Sequence, residues 1–174
     1  MKALTVRQPH ASLIAVGAKR YETRSWPAPK TLKPGDLLAI HAAACRVEAA
    51  VHRLPEAVRR TMAEALGMWT WESLWEDTTK GAILCICRFL KCWPTDGADL
   101  SAKECLFGDW RPGRFAWELE VAHKLHSPIP AKGQQGVWEW EPPEWLAAEL
   151  AAGYASGAIA GTAGTGPQGE GEKP

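Results

Sequence analysis

The chain has 174 residues, 46% of them hydrophobic and 23% charged, and its twenty bases and twenty acids cancel to zero net charge. That composition fits one globular domain with room for a tail, and no apolar run approaches the roughly 18 residues that a membrane-spanning helix needs. Zero net charge also argues against a protein that coats nucleic acid in bulk.

In chain order, ALTVRQ reads as a strand and HASLIAVGA as a short helix that stops near Gly17. GDLLAIHAA follows a Pro-Gly turn as a buried strand, and ACRVEAAVHRL and PEAVRRTMAEALGMW read as helices. GAILCICRFLKCW is a long β-rich run. FAWELEVAHKL alternates at period two, and GVWEWE is a last short strand. PPEWLAAELAAG has the signature of a short helix, with Pro near its first turn and Gly at its end. Strands interrupted by helices, without regular strand–helix–strand repeats, predict an α+β fold built on a small mixed β-barrel with inserted helices and a short C-terminal helix. Seven of the sixteen glycines fall in residues 153–174, which carry almost no large apolar side chains. The domain is therefore expected over 1–152, followed by a disordered tail over 153–174. The opening MKALTVRQPH lacks a signal peptide's apolar stretch, so a cytoplasmic protein is expected.

The neutral total hides a polarised chain. Residues 1–60 carry eleven bases and four acids, and residues 61–152 carry eight bases and fourteen acids. Because salt screens charge beyond about 8–10 Å, a local basic patch can still attract phosphate. The five cysteines are odd in number and form no CxxC, so they read as reduced structural thiols, and the sequence calls for no metal and no cofactor. Of the ten tryptophans, most are assigned to packing. Trp71 and Trp75 suit an inserted helix, one of Trp138 and Trp140 the core. Trp110 is left open.

Three stretches carry a chemical signal: VRQPHASLIAVGAKRYETRSWPAP, the strand around His41, and HSPIPAKGQQGVWEW. In the first, Lys19, Glu22 and Arg24 follow Gly17 in a GxKxxExR pattern. Lys19 and Arg24 supply donors for phosphate, Arg24 in a forked contact. Glu22 accepts from a base's amino group or holds a neighbouring cation. Trp26 offers a flat face for stacking, and Gln8 a two-sided amide. His10 and His41 can serve as acid, base or ligand contact, or as hydrogen-bonded core histidines. Lys132, Gln134 and Gln135 lie in a Gly-bounded loop able to grip phosphate or sugar, and Arg114 suits a ligand rim.

Together these residues resemble the ASCH superfamily, and the likeness looks closest to the C-terminal domain of activating signal cointegrator 1. Gln8-Pro9-His10-Ala11-Ser12-Leu13, then Gly17, Lys19, Glu22, Arg24, Ser25 and Trp26, then Pro130, Lys132, Gly133, Gln135 and Trp138 carry it in order. The resemblance implies a barrel of the PUA type, a cleft beside the signature segment, and nucleic acid or a nucleoside as partner, RNA before DNA.

Two classes of function follow. One is a binding module for RNA or another single strand, using Gln8, His10, Lys19, Glu22, Arg24, Trp26, His41, Arg114, Lys132 and Gln135. The other is a small hydrolase, a ribonuclease or an amidohydrolase of 4-acetylcytidine, in which Lys19 and Glu22 would be catalytic. In the amidohydrolases that the family includes, Thr stands three residues after the signature Lys; here Glu22 does, and Thr23 comes one later. A one-residue slip on a strand reverses a side chain, so Thr23 is not a safe substitute.

Overall fold

The computed structural model describes residues 1–96 and 100–155, the side chains as far as Gly153. It divides into two compact units, Met1–Pro142 and Pro143–Pro174. The first holds strands β1 (Lys2–Val6), β2 (Tyr21–Arg24), β3 (Leu37–Ala42), β4 (Ala82–Pro94), β5 (Phe115–Pro130) and β6 (Val137–Glu139). Its helices are α1 (His10–Ala15), α2 (Glu48–His52), α3 (Glu56–Ala65), α4 (Ser73–Glu76) and α5 (Ala102–Leu106).

The strands form one sheet in the order β2-β5-β4-β3-β1-β6. β1 and β3 run parallel and every other pair is antiparallel. The long β4–β5 ribbon shifts register at three places. Each irregularity adds twist to the strands it interrupts, which curls the sheet into a half-barrel. β2 and β6 are its edges. The Arg24 guanidinium on β2 donates to the Thr5 carbonyl of β1 at 2.6 Å, linking two strands that are far apart in the sheet order.

The hollow of the sheet holds Leu4, Val6, Leu38, Ile40, Cys85, Cys87, Phe89, Trp117 and Leu119, with Ala11, Ile14 and Ala15 of α1 packed on it. Cys85 and Cys87 point the same way, as their spacing requires, with their sulfurs 3.8 Å apart. A second cluster gathers Val47, Val51, Met62, Ala63, Leu74 and Phe107 around Leu13. α1 therefore joins both cores, Ala11, Ile14 and Ala15 facing one and Leu13 the other, as helical spacing allows.

Two positions differ from the sequence reading. Only Ser73–Glu76 is helical around the tryptophans, so Trp71 precedes α4 rather than lying in it. Its ring still packs on Trp75 at 5.4 Å and under Arg59 at 3.8 Å. Trp69 is fully exposed, not core. Trp138 is the core member of its pair, at 8% exposure.

The second unit contains α6 (Glu144–Ala155), whose first turn closes when the amides of Leu146 and Ala147 donate to the Pro143 carbonyl. α6 runs through Gly153, past the expected boundary at 152, because one glycine is tolerated inside a helix at a modest cost. The tail expected to be disordered lies, from residue 156 on, outside the described residues. Among the described residues no helix is long and apolar enough to cross a membrane.

Candidate nucleic-acid site

The signature segment takes its shape from how α1 ends. Gly17, at φ +73°, lets the chain reverse: its amide donates to Ile14, and the amides of Ala18 and Lys19 both donate to the Leu13 carbonyl. That turn drives the Lys19 side chain inward, where it is 2% exposed. Its ammonium donates to the carbonyls of Tyr21 and, at 2.6 Å, Phe107, and lies 3.7 Å from Glu22 Oε2. Strand alternation then sets Glu22 and Arg24 on one face of β2, and Arg24 Nε lies 3.1 Å from Glu22 Oε1. Burial pushes the Lys19 ammonium below its ordinary value, against the opposing pull of Glu22.

These residues line a cavity of about 760 Å³. Thr5, Val6 and Arg7 at the end of β1 form one side of it, and Gln134, Gln135 and Gly136 ahead of β6 extend that side. Leu54, Met62, Leu106 and Phe107 form an apolar side, and Gly108, Asp109 and Arg114 close the rest. Trp26 is half-buried in the lining, edge-on to Trp117 at 4.8 Å. Arg24 Cζ is 5.9 Å from the Trp26 ring.

His10 lines the same cavity, and its buried Nδ1 has no hydrogen-bond partner among the described residues. Burial, reinforced by the nearby Lys19 charge, lowers its pKa to about 4, so the ring is neutral at pH 7. Asp109 forms a second ion cluster. Arg111 donates to it through Nε at 2.9 Å and Nη2 at 2.6 Å, and Arg114 Nε lies 3.5 Å away. Those donors bring the Asp109 pKa down to about 2. Thr23 Oγ1 accepts from the Asp109 amide, and Arg114 donates to the Thr23 carbonyl, so the loop before β5 is fixed to β2.

Seven of the ten sequence-selected residues therefore meet on one surface: His10, Lys19, Glu22, Arg24, Trp26, Arg114 and Gln135. Gln8, His41 and Lys132 do not. Gln8 is 2% exposed, and both ends of its amide are used: Nε2 donates to the Thr79 carbonyl and Oε1 accepts from the Ser12 amide at the start of α1. His41 is buried behind the wall, its Nε2 paired with the Ala131 carbonyl at 3.0 Å. Gly133 packs so closely there that a Cβ would sit 2.3 Å from His41 Cε1. Lys132, in the same loop, is exposed and lies outside the lining.

Lys19 meets the cavity differently from the sequence reading. Its ammonium is occupied by two carbonyls and a carboxylate, so it anchors Glu22 and the Phe107 turn instead of offering itself to phosphate.

Arg7 and Asp109 were not singled out from sequence. Arg7 is exposed at the cavity beside β1, and its only signal was its place just after the first strand. Asp109 and the apolar side arrive through tertiary contacts that no local pattern marks.

An ASCH domain family model matches residues 4–129. The chain belongs to the ASCH domain family. The curled six-stranded sheet with its inserted helices is accordingly an α+β, PUA-like ASCH fold. The match is to the ASCH domain as such, without the narrower likeness to the cointegrator's C-terminal domain. Among curated proteins no relative matches the chain. Among the described residues no cluster of three or more His, Cys, Asp or Glu side chains is arranged to hold a metal ion.

Proposed function

We propose that this ASCH domain is a nucleic-acid-binding module that takes an unstacked base of RNA, or of another single strand, into the cavity beside β2. The observation that supports it most is the convergence of Glu22, Arg24, Trp26, His10 and Arg114 on one 760 Å³ cavity with the exposed Arg7 at its side. Cavities of a few hundred Å³ with an apolar side and a few placed polar groups are the usual form of a small-ligand site. The acids Glu22 and Asp109 disfavour phosphate inside it, so the base enters while Arg7 and Arg114 face the backbone. Trp26 supplies a stacking wall. Lys19 is a positioning residue.

The experiment is retention of a short fluorescent single-stranded RNA at low salt by the full chain and by an Arg7→Ala/Arg24→Ala variant. The variant is expected to bind at least about tenfold more weakly. Equal retention overturns the reading.

A second reading, a small hydrolase acting on RNA or a modified nucleoside, is favoured by one observation. A lysine whose pKa burial lowers and a neutral histidine line the same cavity, as acid–base chemistry near pH 7 would use. In that case Lys19 and Glu22 are catalytic. Turnover of 4-acetylcytidine or of a fluorogenic RNA that Lys19→Ala abolishes would favour it, and binding without turnover would leave the module.

A further inference from the structure

The cavity's two carboxylates are not equivalent. Both Asp109 oxygens receive hydrogen bonds from the Arg111 guanidinium, and Oδ2 has Arg114 beside it as well. Its acceptor capacity is largely taken. Glu22 has Lys19 Nζ at 3.7 Å from Oε2 and Arg24 Nε at 3.1 Å from Oε1, and it accepts from no backbone amide among the described residues. An ionised carboxylate has about four lone-pair positions across its two oxygens, so Glu22 retains room for two further donors side by side.

The lining also leaves polar atoms unmatched. His10 Nδ1 is buried there without a hydrogen-bond partner among the described residues, and Arg24 Nε and Arg114 Nε, which lie 3.1 and 3.5 Å from the Glu22 and Asp109 carboxylates, make no well-aligned hydrogen bond to them. Buried polar atoms are as a rule paired, so this surface is built for a polar guest or for water. Arg24 uses one N–H on the Thr5 carbonyl and has others to offer next to Glu22.

The pattern across β2 is thus two acceptors beside a donor. The Watson–Crick edges of the four bases answer it differently. Guanine presents two adjacent N–H donors, N1 and N2, next to the O6 acceptor. Adenine and cytosine present one amino donor beside a ring-nitrogen acceptor. Uracil presents one N–H between two carbonyls, which a carboxylate repels.

We infer that the cavity selects guanine, with Glu22 accepting from N1–H and N2–H, Arg24 donating to O6, and Trp26 walling the ring. This rests on the reading of the cavity as a nucleic-acid site and specifies its base. Glu22 is then a specificity-determining residue rather than only the partner of Lys19.

The test is competition by 5′-GMP, 5′-IMP, AMP, CMP and UMP against the fluorescent RNA on the full chain. IMP differs from GMP only by lacking the N2 amino group. GMP should compete best, with IMP about tenfold weaker, the size expected for losing one hydrogen bond to a charged acceptor. Glu22→Gln turns one acceptor oxygen into a donor, and it should erase the gap between GMP and IMP. Where circular dichroism shows that Glu22→Gln does not fold, the GMP-to-IMP ratio of the native chain decides alone. Equal competition by GMP and IMP, or a better competitor among AMP, CMP and UMP, overturns guanine selection, and a folded Glu22→Gln variant that keeps the preference overturns selection by Glu22, each while leaving RNA binding in place. RNA that fails to bind at all removes both.

Discussion

Two ion clusters of the same make-up, one acid between two bases, meet at the cavity, one on β2 and one on the loop before β5 that is bonded to β2. On the β2 side Glu22 stands between Lys19 and Arg24, and the Lys19 side chain is 1% exposed. On the loop side Asp109 stands between Arg111 and Arg114, and the Arg111 side chain is 81% exposed. Water screens the second cluster more than the first, although Arg24 at 22% and Arg114 at 24% are similarly exposed. An exposed pair adds little to stability, whereas breaking a buried one strands a charge that has no solvent to fall back on. The same residue types therefore do different work: the buried cluster fixes the shape of the cavity, and the exposed one pins a loop at its edge.

The sharpest way to break this contrast is to remove each acid in turn. Glu22→Ala leaves Lys19 buried beside Arg24 and should lower unfolding free energy by about 3 kcal/mol or more in a urea titration. A loss as small as that of an exposed pair would mean that Lys19 reaches water more easily than its burial indicates.

Acid titration probes the same wall. His10 has its pKa at about 4 in the fold against an ordinary 6.5, so the unfolded chain binds its proton first. That part of the stability is complete above about pH 6.5 and is lost as pH falls toward 4, by about 3 kcal/mol in all. Lys19, also lowered, acts with the same sign at the alkaline end, where stability should rise as pH climbs toward 10.5. His10→Asn should flatten the acid limb in denaturation curves taken between pH 4 and 7.

The loop ahead of β6 is held by hydrogen bonds at Ala131 and Gln134 and by close packing at Gly133, with no ion pair among the described residues. An alanine Cβ at Gly133 would lie 2.3 Å from His41 Cε1, so Gly133→Ala should cost about 1–3 kcal/mol by overpacking. His41→Ala in the same chain should relieve a large part of that loss, and additive effects of the two substitutions would show that they do not meet. The smallest effect belongs to the exposed cluster. Asp109→Ala should change stability by less than about 1 kcal/mol, and added salt should shrink even that.

The contrast also explains which parts of the molecule were legible in the sequence. β1, β3, β4, β5 and β6 announce themselves through apolar runs or alternation, and α1 through its glycine stop. β2 does not, because the side chains it turns toward the cavity are Glu22 and Arg24 rather than apolar residues. α5 is a helix of five residues and gives periodicity no room. At the site, Glu22, Arg24 and Trp26 share one segment, and the resemblance to the ASCH family together with their closeness in sequence marked them, whereas the inward turn of Lys19 did not show. Gln8, His41 and Lys132 had the right chemistry, but spacing does not tell whether an amide or imidazole is already bonded to backbone. Asp109 joins the cavity through a contact across the fold, its amide donating to Thr23 Oγ1 of β2, and Arg7 reaches it beside Thr5 and Val6 at the end of β1.

The central claim is that the cavity and its exposed Arg7 receive single-stranded nucleic acid. Its most direct test is the salt dependence of RNA binding by the native chain and by Arg7→Ala, because Arg7 is exposed and its loss leaves the buried cluster intact. Each phosphate contact on a single strand contributes about 0.7 to the slope of log K against log salt. The account predicts a slope shallower by about that amount in Arg7→Ala, together with weaker binding at low salt. Identical slopes and affinities in the two proteins would contradict it.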